Sequence, residues 1–393
     1  MEKRPSGRTC ESQIGICNMR KDNRHVDASL VSMIFVVLFV SNWQRCCAQI
    51  DSVICNLQDF NYLTAYTEAN YAAYPSIIEH GHTANYQKLK ENVKDSLMSG
   101  AWGIEQAVSE YAYWFSHYFD AHYYADLPYF WHVCKRRDIP DYSHIMDYHP
   151  KPVSKKIDKT TWLIRVPSCA GEFPTNAWFA ESVNMFFSSK CKNLILDIRG
   201  NSGGNDAIWE PLLPLMVDHQ ARFPEQYFFR NTYDNRFHPE MPDWMKEQLE
   251  KVKDGKPFEV WGDDDAGDVD IPSHDAGIHI AIIIDRKTAS AAETILRIAR
   301  NYSDNKRVTL YGKENSAGCA ATGNILPFRL PHSRIQVFYP TTVSSAFLRF
   351  DGIQSASGIE PDVRIELPYP NQLTDNTDSW VLWVSKDMEK KRD

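Results

Sequence analysis

The segment Asp285-Arg-Lys-Thr-Ala-Ser-Ala-Ala-Glu293 places a serine among small residues where two elements are expected to meet. The preceding run Ile278-His-Ile-Ala-Ile-Ile-Ile284 has the β-branched residues of a buried strand. The following residues, up to Arg300, have apolar side chains at helical spacing. Ser290 is therefore expected at a strand-to-helix junction, where unpaired N–H groups and the helix dipole favour negative charge. A serine there can attack a carbonyl while N–H groups hold the oxyanion, and a plain N-cap is the alternative role.

Two further segments place glycine or proline where a backbone must turn tightly. Leu196-Asp-Ile-Arg-Gly-Asn-Ser-Gly-Gly204 runs from a buried strand into paired glycines, which permit positive φ and close approach of another backbone or a substrate. Taken alone, this pattern also fits an ordinary turn. In Gly358-Ile-Glu-Pro-Asp362 the proline fixes the backbone and Asp362 is expected to pin a loop.

The N-terminus has the composition of an export signal. Basic residues precede the apolar run from Leu30 to Val40, which is shorter than the roughly 20 residues that span a bilayer. With a small residue at Ala48, the pattern predicts a secretory signal peptide over residues 1–48. We expect an exported protein, periplasmic, on the cell surface or extracellular, and a retained N-terminal anchor is the alternative.

Composition excludes several functional classes. The net charge is −8 over 393 residues, and loss of the basic residues 1–48 makes the chain still more acidic, so nucleic acid is not an expected partner. The mature cysteines are odd in number and none lies in a Cys-x-x-Cys pair, which argues against a zinc site. The acidic triplet Asp263–Asp265 lacks calcium-loop spacing and is expected to be a solvated loop. No metal or organic cofactor is expected. One or two disulfides could form in an oxidising compartment, and the sequence does not pair them.

The periodicity of apolar residues divides the chain into regions. Helical spacing predicts a helical N-terminal region over 49–125, followed by an aperiodic connector over 126–160. Alternating strands and helices predict an α/β core over 161–370, with an aromatic and acidic insertion at 219–276. The remaining residues, 371–393, are expected to form a helical tail.

In their order along the chain, the three segments and Glu314-Asn-Ser-Ala-Gly318 resemble the tail-specific or C-terminal-processing serine peptidases, which include the tricorn core. The resemblance covers Thr161 to Leu367 and implies a fold like those of ClpP and crotonase. It implies that Ser290 is the nucleophile and that oxyanion donors come from the N–H of Ala291 and from Gly203 or Gly204. The connector is too short for the PDZ domain that many such proteases carry.

The resemblance leaves the general base open between two residues. In the tricorn-like branch the base is a histidine, and Phe119-Asp-Ala-His122 resembles the Asp-Gly-His segment found there, so His122 is the favoured base. The bacterial branch uses a lysine whose position here is Asn315. Lys313 lies two residues earlier, on the same face of a strand, and is the alternative base.

The third member of a triad, which orients the base, has no clear match. The tricorn-like pattern places a glutamate where this chain has Ser355, and Asp351 and Glu360 are nearby. Glu293 could take this role or could complement the dipole of its helix.

The sequence as a whole predicts an exported serine-type endopeptidase that cleaves peptide or unfolded protein substrates through an acyl-enzyme. Two departures from the pattern, the lysine and the glutamate, favour a rival hypothesis of an inactive relative that binds peptides. Acyl-CoA chemistry on a crotonase-like fold is a weaker alternative, because no basic nucleotide-phosphate site is evident. A membrane is expected only as the target of the signal or anchor, and the oligomeric state is not indicated.

Overall fold

The computed structural model describes residues 51–137, 151–172, 174–216, 227–249, 259–261, 277–302, 307–319, 322–344, 358–370 and 377–391. The expected signal peptide at 1–48 and the acidic triplet Asp263–Asp265 lie outside these residues. Contacts divide the chain into Met1–Ser52 and Val53–Asp393, and the second unit contains the predicted helical region, connector and core. Across the described ranges, no helix combines the length and apolar character needed to cross a membrane.

Strands and helices alternate through the second unit. The strands are β1 (Tyr124–Ala125), β2 (Val153–Lys156), β3 (Thr161–Arg165), β4 (Asn193–Asp197), β5 (Tyr227–Phe229), β6 (Glu259–Trp261), β7 (His279–Ile284), β8 (Val308–Gly312), β9 (Thr322–Arg329), β10 (Gln336–Ser344) and β11 (Val363–Arg364). The α-helices are α1 (51–70), α2 (Tyr74–Ile77), α3 (Thr83–Met98), α4 (Ile104–Tyr118), α5 (Pro128–Arg137), α6 (Asn176–Ser188), α7 (Leu213–Met216), α8 (Tyr233–Arg236), α9 (Asp243–Leu249), α10 (Ala291–Tyr302) and α11 (Ser379–Lys390). A π-helix, Ile78–His82, joins α2 to α3, and a 3-10 helix, Asp206–Leu212, leads into α7.

A six-stranded sheet carries the predicted nucleophile. Its order is β11-β8-β7-β4-β3-β2, and all neighbours are parallel except β2 with β3. Helices α6, α7 and α10 cover one face, and α11 covers the other. Strands buried on both faces read as continuous apolar runs, which explains the isoleucines of β7. The α/β fold expected from the sequence is confirmed.

A second sheet is antiparallel and packs with the N-terminal helices. Its order is β1-β10-β5-β6, and β9 also pairs with β10. One hydrophobic cluster joins side chains of this sheet to those of α1, α3, α4 and α5. The N-terminal helices therefore share a core with strands that follow the nucleophile by more than 30 residues in sequence.

Two of the predicted regions contain regular elements. The insertion at 219–276 supplies β5 and β6 to the antiparallel sheet, and the connector at 126–160 contains α5 and β2. Strand β10, within the predicted α/β core, pairs with β1, β5 and β9 in the antiparallel sheet. Periodicity predicts a strand but not its partner, which non-local packing decides. Helix α11 lies within residues 371–393, and Asp362 accepts a hydrogen bond from the N–H of Leu310 at 2.7 Å.

Candidate active site

The nucleophile turn connects β7 to α10. β7 ends at Ile284, and the buried carboxylate of Asp285 holds the turn by accepting a hydrogen bond from the N–H of Gly200 at 3.0 Å. Ser290 is the last residue before α10, which begins at Ala291, and it is half-buried. Its φ is +55°, a left-handed conformation that is uncommon for a residue other than glycine. Strained backbone of this kind collects at functional sites, where the surrounding structure maintains it.

The glycine turn lies directly against this serine. Gly203 has φ +97°, and a Cβ placed on it would be 2.6 Å from the Cβ of Ser290 and 3.0 Å from the amide nitrogen of Ala291. Only glycine fits such an approach. The N–H of Gly203 donates to the Asn201 side chain at 2.9 Å, whereas those of Gly204 and Ala291 donate to no described residue. Of the three predicted oxyanion donors, Ala291 and Gly204 are therefore the two whose N–H groups donate to no described residue and could bind an oxyanion.

His122 is buried and its ring is tightly held. Its Nδ1 lies 2.9 Å from Thr322 Oγ1 and 3.4 Å from Asp120 Oδ1. The ring also interacts with the thiol of Cys319. Desolvation alone would lower the imidazole pKa, but the contacts with Cys319 and Asp120 outweigh it and raise the pKa well above 6.5. Burial raises the pKa of the Cys319 thiol, and the neighbouring imidazole opposes that rise.

The carboxylate of Glu293 connects the nucleophile turn to the segment that contacts His122. It is fully buried and accepts hydrogen bonds from four donors: Ser290 N (3.3 Å), Cys319 N (2.8 Å), Gly318 N (2.8 Å) and the Ser316 hydroxyl. Ser290 N and Cys319 N donate to the same oxygen, Oε2, so they are separated by no more than the combined length of two hydrogen bonds. Because the Cys319 thiol interacts with His122, Glu293 and Cys319 link the nucleophile turn to the predicted base.

No hydrogen bond joins the Ser290 hydroxyl to His122 among the described contacts. Catalytic hydrogen bonds in structures without substrate are often long or misaligned, and they tighten only when substrate binds. Proximity here rests on the contacts through Glu293 and Cys319.

The ammonium of Lys313 points to a different part of the chain. Its Nζ donates to the carbonyl of Leu367 at 3.3 Å and lies 5.8 Å from the centre of the Tyr369 ring. The described contacts include none between Lys313 and Ser290. The structure therefore groups Ser290, Gly203, Gly204, Ala291 and His122 together and places the Lys313 amine with the 367–369 segment.

Three residues of the site had no assigned role in the sequence. Asn201 fixes Gly203, Asp120 lies beside the base, and Cys319 lies between the base and Glu293. Asn201 lies in the glycine-turn segment and Asp120 lies in the Phe119–His122 segment. Their positions close in sequence to Gly203 and His122 could have suggested that they belong to the site. Cys319 stands just after one such motif and has no pattern of its own.

A cavity of the helical region is lined by residues other than those of the site. That cavity, of about 510 Å³, is lined by His82, Asn85, Lys88, Leu89, Asn92, Trp114 and Phe119. Its nearest approach to the base in sequence is Phe119, three residues before His122. The described residues also contain no cluster of His, Cys, Asp or Glu able to hold a metal ion.

One solved structure shares this fold at low sequence identity, and two others align with the chain less closely. A candidate peptidase from Parabacteroides merdae is 13% identical with a TM-score of 0.51, over 80% of this chain and 90% of its own. A lipoprotein from Streptococcus agalactiae is 15% identical with a TM-score of 0.40, over 86% of this chain and 97% of its own. The photosystem II D1 C-terminal processing protease is 18% identical with a TM-score of 0.32, over 52% of this chain and 42% of its own. No curated protein is similar.

Sequence comparison places the core in one family. A profile of Peptidase family S41 matches residues 161–365, which is more than half of the chain. The matched span contains the glycine turn, the nucleophile turn and Glu293, whereas His122 precedes it. The resemblance expected from the sequence is confirmed: the chain belongs to Peptidase family S41.

Proposed function

We propose that this peptidase is an exported serine endopeptidase in which Ser290 attacks the substrate carbonyl and His122 accepts its proton. The observation that carries this proposal is the turn at Ser290. Ser290 has a left-handed backbone, packs against Gly203 and precedes Ala291, whose N–H donates to no described residue, so an oxygen nucleophile lies beside a candidate oxyanion donor.

The chemistry follows from the charges in the site. As the Ser290 oxygen forms a bond to the carbonyl carbon, its proton passes to His122 and the carbonyl oxygen becomes negative. The N–H groups of Ala291 and Gly204 are the donors available to that oxyanion, and the dipole of α10 adds to their field. The protonated His122 then donates to the leaving amine, and water attacks the acyl-enzyme with His122 again as base.

Peptides or unfolded proteins are the proposed substrates, and export is proposed from the N-terminal composition. Digestion of casein, compared with a folded globular protein, tests the first point. The mass of the mature N-terminus tests the second, and Gln49 is the expected first residue.

A fluorophosphonate probe tests nucleophile and base together. Such a probe forms a covalent bond to an activated serine, so it should label the wild-type chain and not Ser290→Ala. His122→Ala should lower the labelling rate by roughly 100- to 10,000-fold. Lys313→Ala is the matched control for loss of a positive side chain, and it should label at the wild-type rate because Lys313 contacts the 367–369 segment.

The second candidate function is peptide binding without hydrolysis. It is favoured by one observation: the His122 ring contacts Thr322 and Asp120, and among the described contacts the Ser290 hydroxyl is not a partner of the ring. Wild-type protein that ignores the probe but retains peptides on a column would support binding and contradict hydrolysis. Equal loss of labelling in Lys313→Ala and His122→Ala would contradict the assignment of the base.

A further inference from the structure

The imidazole of His122 has a hydrogen-bond partner on its Nδ1 side. Nδ1 lies 2.9 Å from Thr322 Oγ1, and the Thr322 hydroxyl donates to Asp120 Oδ1 at 2.7 Å. A hydroxyl has one proton, and here it is directed to Asp120. Thr322 must therefore accept from Nδ1–H, so Nδ1 carries a proton and Nε2 is the basic nitrogen.

Asp120 is positioned to fix that arrangement. It is fully buried, and its Oδ1 also accepts from the N–H of His122 at 3.0 Å while its Oδ2 accepts from the Tyr71 hydroxyl at 2.9 Å. Donors on both oxygens prevent the carboxylate from rotating away. The same oxygen, Oδ1, lies 3.4 Å from Nδ1, close enough to stabilise an imidazolium when the base accepts a proton.

The other described carboxylates near the motifs are occupied elsewhere. Glu360 is 70% exposed and pairs with Arg364 at 2.7 Å, which removes it from the buried site. Glu293 accepts four hydrogen bonds from the nucleophile turn and the 316–319 segment. Ser355 and Asp351 lie outside the described residues.

We infer that Asp120, acting through Thr322 and directly, is the positioning carboxylate of His122 and replaces the glutamate absent from this chain. The inference rests on the proposed function, because orientation of His122 matters for catalysis only if His122 is the base. The nucleophile and the oxyanion donors lie on the parallel sheet, whereas this group comes from the loop before β1 and is tied to the first residue of β9.

The test combines labelling kinetics with a direct titration of His122 in the full chain. Asp120→Asn should lower the fluorophosphonate labelling rate by about 100- to 10,000-fold, because an amide can reverse the tautomer and supplies no negative charge. Thr322→Val, which keeps the shape and removes the hydroxyl, should lower it about tenfold. The His122 ring resonance, assigned by its absence in His122→Gln, should titrate at a lower pH in Asp120→Asn, since Asp120 raises that pKa.

Asp59→Asn is the matched control. Asp59 is also a buried carboxylate, and it accepts backbone N–H groups of His332 and Ser333 at 2.8 and 2.7 Å without touching His122. It should leave both the labelling rate and the His122 titration unchanged. If Asp120→Asn fails to fold, Thr322→Val carries the test.

Distinct results separate this inference from the proposed function. Labelling of Asp120→Asn within threefold of the wild type, or an unchanged His122 titration, would overturn the positioning role. If the wild-type chain is not labelled by the probe, hydrolysis at Ser290 is refuted, but the positioning role of Asp120 is not. In that case, a lowered titration midpoint in Asp120→Asn still supports the arrangement of Asp120, Thr322 and His122, and an unchanged midpoint overturns it.

Discussion

Replacement of Gly203 by alanine should disable the nucleophile without removing any catalytic group. The added Cβ would lie 2.6 Å from the Cβ of Ser290, whereas carbon atoms pack at about 3.5–4.0 Å, so one of the two must move by roughly 1 Å. The backbone at Gly203, with φ +97°, adds a conformational cost of about 1–2 kcal/mol. A displacement of 1 Å in a reacting group lowers rates by about 100-fold. We expect the fluorophosphonate labelling rate of Gly203→Ala to fall by that factor.

Gly171→Ala is the control that separates the steric contact with Ser290 from the conformational cost of a positive φ. Gly171 has a similar φ of +91°, but a Cβ there meets nothing within 4 Å. It should lose stability by about the same 1–2 kcal/mol in urea denaturation while labelling at the wild-type rate. If a folded Gly203→Ala variant is labelled at the wild-type rate, the contact between the two turns does not control the reactivity of Ser290. The same conclusion follows if Gly171→Ala slows labelling as much as Gly203→Ala does.

Four further outcomes follow from the charged groups and thiols described above. The raised pKa of His122 predicts that the labelling rate climbs with pH, through a midpoint above 6.5, as the imidazole loses its proton; a midpoint at or below 6.5 would contradict this. Because the pKa of His122 is higher in the folded chain than in the unfolded chain, protonated His122 stabilises the fold. This stabilisation should be fully present below about pH 6.5 and should be lost as the pH rises through the pKa of His122 in the folded chain. Denaturation of the wild type and of His122→Gln at several pH values measures it. Glu293→Gln should cost on the order of 3 kcal/mol in urea denaturation, because one amide cannot accept from four donors, and a loss under 1 kcal/mol would argue against that role. Iodoacetamide should modify the partly exposed Cys55 before Cys169 and Cys319, whose pKa values burial raises, and peptide mapping would show the reverse order if the two thiols were accessible.

The parallel core was predictable because its signals are local. The isoleucines of β7 and the small residues before α10 report a buried strand and a helix start within one short window. The glycine turn was predictable for the same reason, since its paired glycines follow β4 directly. The close approach of Gly203 to Ser290 gives that pattern its physical cause.

The antiparallel sheet and the surroundings of His122 were not predictable in this way. β10 takes partners from the insertion and from the region before β2, and pairing over such separations leaves no periodic trace. Thr322 lies 200 residues from His122 along the chain. Asp120 stands two residues from His122, yet only the fold shows that its carboxylate turns back toward the ring.

The nucleophile lies on the parallel sheet and the proposed base lies with the antiparallel sheet. The reactivity of the site therefore depends on how the two sheets pack together. Each sheet packs against its own hydrophobic cluster. Substitutions could therefore replace the general base beside the antiparallel sheet without disturbing the nucleophile turn on the parallel sheet. Described residues on the two sides hold the site: Ser316 and Gly318 donate to Glu293, and Thr322 donates to Asp120. Alignment of the reacting atoms then depends on these polar contacts more than on either hydrophobic interior.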